Sequence, residues 1–183
     1  IVLRDQSAQR TLGGGRVLDP YAPPRNRRRV ARLEQLRALD QPSLERALPP
    51  LLASAANGID PHSLERQFNR PHEGWRLPQG VLVVGTRLGP RLFDQARWSE
   101  LDATLLAALQ RFHEEQPDEL GPDRDRLRRY ALPQLERPVF IALLEQALAA
   151  GSIETSGPWL HRPDHRVRLS DTEAQLRARE IAS

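Results

Sequence analysis

The sequence predicts a mainly α fold with small β wings, α+β in class, made of two units of like order behind a short β-hairpin. Three observations predict it. Apolar residues recur three and four apart through several stretches, the signature of helices with one buried face. Each set of helical stretches is followed by a short apolar or β-rich segment next to glycine. Proline and glycine clusters at Asp19–Pro24, Asn57-Gly58, Pro117 and Gly121-Pro122 punctuate the chain between them.

Taken in order, Ile1–Arg4 and Thr11–Leu18 read as two strands around a polar turn, too few to hold a core and therefore the remnant of a larger β domain. Asp19-Pro20-Tyr21-Ala22-Pro23-Pro24 is a stiff linker. A helix over about 26–39 is expected to place Val30, Leu33 and Leu36 on one side. A second opens near Ser43 and carries Leu44, Leu48, Leu51 and Leu52, with Pro49-Pro50 expected to kink or divide it. Asp60-Pro61 is an N-cap and first-turn proline for a short third helix to about Phe68, and Val81–Val84 is a strand.

The order then repeats. A long helix opening around Ser99-x-x-Asp102 buries Trp98, Leu101, Leu105, Leu109 and Phe112; an arginine-rich helix spans 123–130. A third, over 137–150, has Phe140, Leu143, Leu144, Ala147 and Leu148 on one face and Gly151 as its cap. Ile153–Thr155 and Trp159–His161 flank a turn. Three helices and a small hairpin is the winged-helix order, here in tandem. The expected divisions are 1–22 for the β remnant and linker, 23–93 and 94–169 for two winged-helix domains, and 170–183 for the start of a third unit, opened by the capping box Ser170-Asp171-Thr172-Glu173.

At 183 residues the chain can bury the cores of two small domains. It has no Met and begins on the apolar run Ile1-Val2-Leu3, so it reads as an internal piece of a longer protein. It has no Cys, which excludes disulfides and thiolate chemistry, and no apolar run near the roughly 20 residues that span a bilayer. Its basic residues are all arginine. Residues 1–37 hold nine of them against Asp5, Asp19 and Glu34, a net of +6, while the remainder nets −3. Most of the excess lies in Arg25, Arg27, Arg28, Arg29 and Arg32. Guanidinium clusters suit phosphates, which points to RNA or another polyanion; a solvated helix start is the alternative.

Residues 9–17, "QRTLGGGRV", resemble the closing strands of the third, β-barrel domain of translational GTPases of the elongation factor Tu class. The longer stretch "LRDQSAQRTLGGGRVLDPYAPPRNRR" resembles the bacterial selenocysteine-specific elongation factors, whose chains continue past the barrel into winged-helix domains. "GPDRDRLRRYALP" and "GPWLHRPDHRVRLS" are similar to the second of those domains. The resemblance implies a full-length factor that uses GTP and magnesium to bring selenocysteyl-tRNA to the ribosome. A winged-helix tail would tie that factor to an mRNA hairpin beside the recoded UGA codon. It also implies that the GTPase site, most of the aminoacyl-tRNA site and the main hairpin reader lie outside this chain, which is then a non-enzymatic connecting arm, cytoplasmic and monomeric.

Site by site, the chemistry is sparse. A phosphate-binding loop follows a strand and opens a helix through Gly-Lys-Ser/Thr; Gly13-Gly14-Gly15 runs instead into Arg16-Val17-Leu18, and the chain has no Lys. A bulge or close backbone approach fits these glycines better. His161-Arg162-Pro163-Asp164-His165 has half the ligands of a zinc site, and Asp164 is expected to anchor the exit from the wing. His113-Glu114-Glu115 lacks the second His of a metalloprotease helix. No nucleophile stands near a base, so neither catalysis nor a metal is assigned.

For nucleic acid, the helix over 137–150 is too apolar to read a groove, and its Glu145 has the wrong sign. Ser63, Arg66, Gln67, Asn69 and Arg70 on the short third helix of the first unit are candidates for base contacts. Arg25, Arg27, Arg28, Arg29, Arg124, Arg128 and Arg129 are the candidates for phosphate contacts, with Arg126, Arg166 and Arg168 beside them. The rival readings are a winged-helix DNA-binding transcription regulator and a protein–protein adaptor.

Overall fold

The computed structural model describes residues 1–21, 24–25 and 28–165. Arg27, Arg166, Arg168 and the expected third unit at 170–183 lie outside the described residues. The chain divides into two compact units: Ile1–Leu82 with Arg91–Asp94, and Val83–Pro90 with Gln95–Ser183.

The first unit begins with β1 (Val2–Arg4) and β2 (Thr11–Gly14), an antiparallel pair whose register shifts at Leu3/Arg4. Gly13 and Gly14 face Leu3 and Val2 across this ladder, so these two glycines are strand and not a phosphate cradle. The second strand is shorter than expected, ending at Gly14. The helices that follow are α1 (Val30–Leu39), α2 (Leu44–Ser54) and α3 (Pro61–Phe68), then a 3-10 turn at His72–Gly74; the residues of β3 (Val81–Thr86) and β4 (Gly89–Asp94) are divided between the two units.

Two expectations are corrected here. Val30 and Leu33 are 72% and 43% exposed, and α1 instead buries Ala38 and Leu39 at its C-terminal end. The reason is an ion pair on the inner side: Arg32 donates to Asp19 at 2.7 Å, with only 9% and 6% of these side chains exposed, so a polar contact occupies the place foreseen for an apolar stripe. Pro49 and Pro50 do not divide α2, which runs through both. The apolar face of α2 compensates for the two missing N–H donors, burying Leu44, Ala47, Leu48, Leu51 and Leu52.

The strand after Val81–Val84 was not foreseen. Leu92 and Phe93 on β4 are almost fully buried, and Leu92 forms an antiparallel bridge with Ile59 through N–H···O bonds of 2.8 and 3.0 Å. Gly58 makes that bridge practicable: at φ +66° a Cβ would stand 2.5 Å from the Phe93 ring and 2.7 Å from Leu92 O.

The second unit contains α4 (Gln95–Glu115), α5 (Arg124–Ala131), α6 (Arg137–Ala149), β5 (Glu154–Ser156) and β6 (Trp159–His161). α4 starts four residues before Ser99 and buries the five foreseen residues together with Ala108 and His113. α6 buries Val139, Phe140, Leu143, Leu144 and Ala147, and Trp98 Nε1 donates to Gln146 Oε1 at 2.8 Å to tie α4 to α6. Leu160 N donates to Pro122 O at 3.0 Å, and Gly121 permits it, because a Cβ there would lie 1.9 Å from Leu160 O.

These two bridges align the units. Gly58-Ile59-Asp60-Pro61 and Gly121-Pro122-Asp123-Arg124 hold the same station: a glycine, a residue paired with the wing, a capping Asp and a short helix. Asp60 Oδ1 accepts from His62 N at 3.0 Å, and Asp123 Oδ1 from Arg126 N at 2.8 Å. Thus α2 corresponds to α4 and α3 to α5, with α1 an additional helix. The place of the 13-residue α6 is taken in the first unit by the three-residue turn His72–Gly74.

That turn is fastened by polar contacts. Glu65 on α3 accepts from His72 N at 2.5 Å, and its two oxygens stand 2.9 Å from His62 Nδ1 and 2.6 Å from His72 Nδ1. The His72 N–H and both imidazoles hold the Glu65 carboxyl down at about 2, and the same carboxylate raises the His72 pKa.

Candidate nucleic-acid interface

In the first unit the arginine cluster straddles the start of α1. Arg25, Arg28 and Arg29 are exposed, and no ion pair or hydrogen bond from their side chains is present among the described residues. Arg32 differs, being bound to Asp19 and also to Gln35 Oε1 at 2.7 Å. Burial of Asp19 opposes its ionisation, but the Tyr21 N–H, Arg32 and Gln67 outweigh it and lower its pKa. The Asp19–Arg32 pair is thus a joint that fixes the linker to α1.

A groove of about 640 Å³ runs between α1, α3 and β4, with Arg25, Arg29, Arg32 and Arg91 around it. Ser63 and Gln67 of α3 line it as well. The remaining candidates for base contacts are engaged elsewhere or outside it: Arg66 lies over the Tyr21 ring at 5.2 Å, and Arg70 is 3.7 Å from Glu45. Because α3 holds the station of α5, it is the second helix of its wing unit and not the third.

In the second unit the arginines of α5 divide by direction. Arg124 and Arg129 are exposed and, with Arg137, line a groove closed on its far side by Thr155, Gly157 and Pro158 of the wing. Asp123 and Asp125 lie in the same groove; the first caps α5 and the second is 3.5 Å from Arg137. Arg128 is half-buried, its Nη1 donating to Leu135 O at 3.2 Å and its Nε enclosed without a partner. Arg126 turns the other way, donating to Glu119 at 2.7 Å and Gln116 at 2.8 Å while lying 4.6 Å over the Phe112 ring.

The histidines of the second unit do not gather around one point. His161 faces Ser156 Oγ at 2.9 Å and Arg162 O at 3.0 Å, and His165 faces Glu119 O at 3.0 Å. The His165 ring stacks on His113 at 3.6 Å. Burial, with the positive influence of His165, His161 and Arg162, lowers His113 to about 4, so it is neutral in the fold. Asp164 accepts from Arg162 Nε at 3.0 Å, an anchor at the exit of the wing. Among the described residues, the group whose ligand atoms do converge is His62, Glu65 and His72. Its spacing, His-x2-Glu-x6-His, is visible in the sequence, but the closure of the third ligand depends on the turn at His72–Gly74.

On both units, the helices that would enter a groove lack a basic reading face. α6 presents Glu145 and Gln146, with Arg137 at its first residue, and its counterpart in the first unit is a single turn. What these surfaces do present is exposed guanidinium, at Arg25, Arg28 and Arg29 and at Arg124 and Arg129. No helix among the described residues is long and apolar enough to cross a membrane.

Comparison with known proteins agrees with this architecture. Residues 106–161, from within α4 to β6, match the family model described as elongation factor SelB, winged helix. The chain is 35% identical over 182 residues to a selenocysteine-specific elongation factor of Escherichia coli, covering 96% of this chain and 28% of that protein. It is 24% identical over 184 residues to the selenocysteine-specific elongation factor of Haemophilus influenzae, covering 94% of this chain and 28% of the relative. The chain therefore spans little more than a quarter of the length of these relatives. A winged-helix match and a likeness that runs nearly end to end along this chain are consistent with a winged-helix fragment of a selenocysteine-specific elongation factor.

Proposed function

We propose that this chain is the winged-helix arm of a GTP-dependent elongation factor that inserts selenocysteine at UGA codons in the cytoplasm. In that factor GTP and magnesium are bound by residues outside this chain, and the partners are selenocysteyl-tRNA, an mRNA hairpin and the ribosome. The arm comprises winged-helix domains at 23–93 and 94–169, and it joins the tRNA-carrying body to the hairpin-binding tip. It has no catalytic task of its own.

The observation that carries this reading is the near-complete alignment with selenocysteine-specific factors, on a fold whose wing units lack a reading helix. An arm of this kind holds its ends at a fixed separation and touches RNA through phosphates. Arg25, Arg27, Arg28 and Arg29 form one such contact set; Arg124 and Arg129 form the second, with Arg128 supporting their helix from within. These contacts are sequence-blind and weaken steeply with salt.

Charge reversal of Arg25, Arg28 and Arg29 to Glu in the full-length factor tests the reading. UGA recoding is expected to fall roughly tenfold or more, as expected for loss of several phosphate contacts near physiological salt. GTP binding and selenocysteyl-tRNA binding are expected to remain at the wild-type level. Unchanged recoding would overturn the phosphate role of this cluster.

A further inference from the structure

We propose that His62, Glu65 and His72 form a binding site for a single transition-metal dication, zinc fitting best, which clasps the shortened third element of the first unit to α3.

The donors come from two elements. His62 and Glu65 stand three residues apart on α3, one turn of helix, and so share a face. His72 arrives from the 3-10 turn, held there by its own backbone N–H on Glu65. One carboxylate is thereby straddled by two imidazoles, with one ligand atom from each residue within 4.8 Å of the other two. Tetrahedral zinc with ligands at about 2.0–2.2 Å needs them roughly 3.3 Å apart, so the spread of up to 4.8 Å narrows while the Glu65–imidazole contacts of 2.9 and 2.6 Å open slightly, adjustments that small side-chain rotations supply.

The chemistry selects the ion. Two imidazoles and one carboxylate match zinc, cobalt, nickel or copper, and do not match calcium or magnesium, which take all-oxygen sets. The surroundings are electronegative: Glu73 and Asp60 both act on the charge of His72 alongside Glu65. His62 is exposed, which leaves the fourth position open to water. Metal binding requires neutral imidazoles, so affinity rises with pH.

The site also meets a structural need. In the second unit α6 is held by its buried apolar body, whereas the three-residue turn that replaces it has no buried residue of its own. A metal joining His72 to two residues of α3 supplies there the attachment that apolar area supplies in the other unit.

Trp75 provides the readout, since its ring lies edge-on to His72 at 6.1 Å. Chelator-treated, untagged chain is titrated with Co2+ while visible d–d absorption and tryptophan fluorescence are followed, and Zn2+ is then added as competitor. The expected result is one saturable equivalent with a tetrahedral or five-coordinate Co2+ spectrum, quenching of Trp75 that is absent in Trp75→Phe, and displacement by Zn2+. His62→Ala and His72→Ala are each expected to lower affinity more than tenfold. His62→Ala removes an exposed side chain, so the fold is retained and the loss is interpretable. Absence of saturable Co2+ binding would overturn the proposal. So would binding of equal strength in both histidine variants, since that places the ion elsewhere, for instance at His113, His161 and His165.

Discussion

The first and second units hold the same station in different ways. Both run glycine, wing-paired residue, capping Asp and short helix, and both bring a wing strand back to that pair, Leu92 on Ile59 and Leu160 on Pro122. They part at the third element. The second unit places a 13-residue helix there, with five residues buried. The first has a single turn, and its core is completed from the other side by α1, whose Ala38 and Leu39 join Leu44, Leu48, Leu51 and Leu64. The lesson is that a wing unit tolerates loss of its third helix if another helix fills the core and the remaining turn is tied down. A third helix that could read a groove is then no longer available in the first unit.

The sharpest way to break the comparison is at the paired glycines. Gly121→Ala sets a Cβ against the backbone of Leu160, which cannot yield cheaply, so a loss above about 4 kcal/mol and an unfolded second unit are expected. Gly58→Ala meets the Phe93 ring edge at 2.5 Å and the Leu92 carbonyl at 2.7 Å, a shallower overlap with backbone than the 1.9 Å at Gly121, and roughly half that loss is expected. Denaturant unfolding followed at Trp98 and Trp75 measures both. Equal effects would mean that the two stations are not equivalent.

Next in size is the apolar attachment. Leu143 is fully buried on α6, and Leu143→Ala should cost about 3 kcal/mol in the unfolding of the second unit. Glu65→Gln, which loosens the polar attachment in the first unit, should lower the midpoint of that unit by less and leave Trp98 unfolding unchanged. A larger effect for Glu65→Gln would reverse the assignment of which attachment is stronger.

Acid separates the units further. His113 is neutral in the fold with a pKa near 4 against an ordinary 6.5, so the unfolded chain takes up the proton first. Stability of the second unit is therefore complete above about 6.5 and falls as pH drops towards 4, flattening below that. The full loss is on the order of 3 kcal/mol. The groups acting on it are His165, His161 and Arg162, which oppose its charging, and Asp164, which favours it. His113→Leu should remove the slope between these pH values, and a persistent slope would assign it to another group.

The smallest expected effects are at the caps. Asp60→Ala and Asp123→Ala each lose one side-chain bond to a helix N-terminus, and each should cost about 1 kcal/mol in its own unit alone.

The second unit was the more legible in the sequence because its helices bury regular apolar faces. Trp98, Leu101, Leu105, Leu109 and Phe112 announce α4, and Asp123 and Gly151 mark ends that the structure keeps. In the first unit the signals mislead. Val30, Leu33 and Leu36 imitate a core stripe, but the Asp19–Arg32 pair lies inside, and no local pattern foretells a partner 13 residues away. β4 escaped because its apolar content is only Leu92-Phe93, set between Gly89-Pro90-Arg91 and Asp94.

The candidate interface was legible as charge and not as geometry. Arg25, Arg28, Arg29, Arg124 and Arg129 stand exposed, while Arg32, Arg126 and Arg128 are held by a carboxylate, by Glu119 with Gln116, and by the Leu135 carbonyl. A backbone carbonyl or an ion-pair partner brought in by tertiary folding leaves no mark in composition.

The most direct test of the central claim, that this arm meets RNA by phosphate contact alone, is the salt dependence of its binding to two structured RNAs of unrelated sequence, read by anisotropy. Both RNAs are expected to bind with the same affinity, with log Kd rising with log salt at a slope of roughly 4 for about six phosphate contacts. The slope should fall by about 2 in the Arg25, Arg28, Arg29→Glu variant. Tight binding that is insensitive to salt, preference for one sequence or for duplex DNA as a stable dimer, or no RNA binding even at low salt would contradict it.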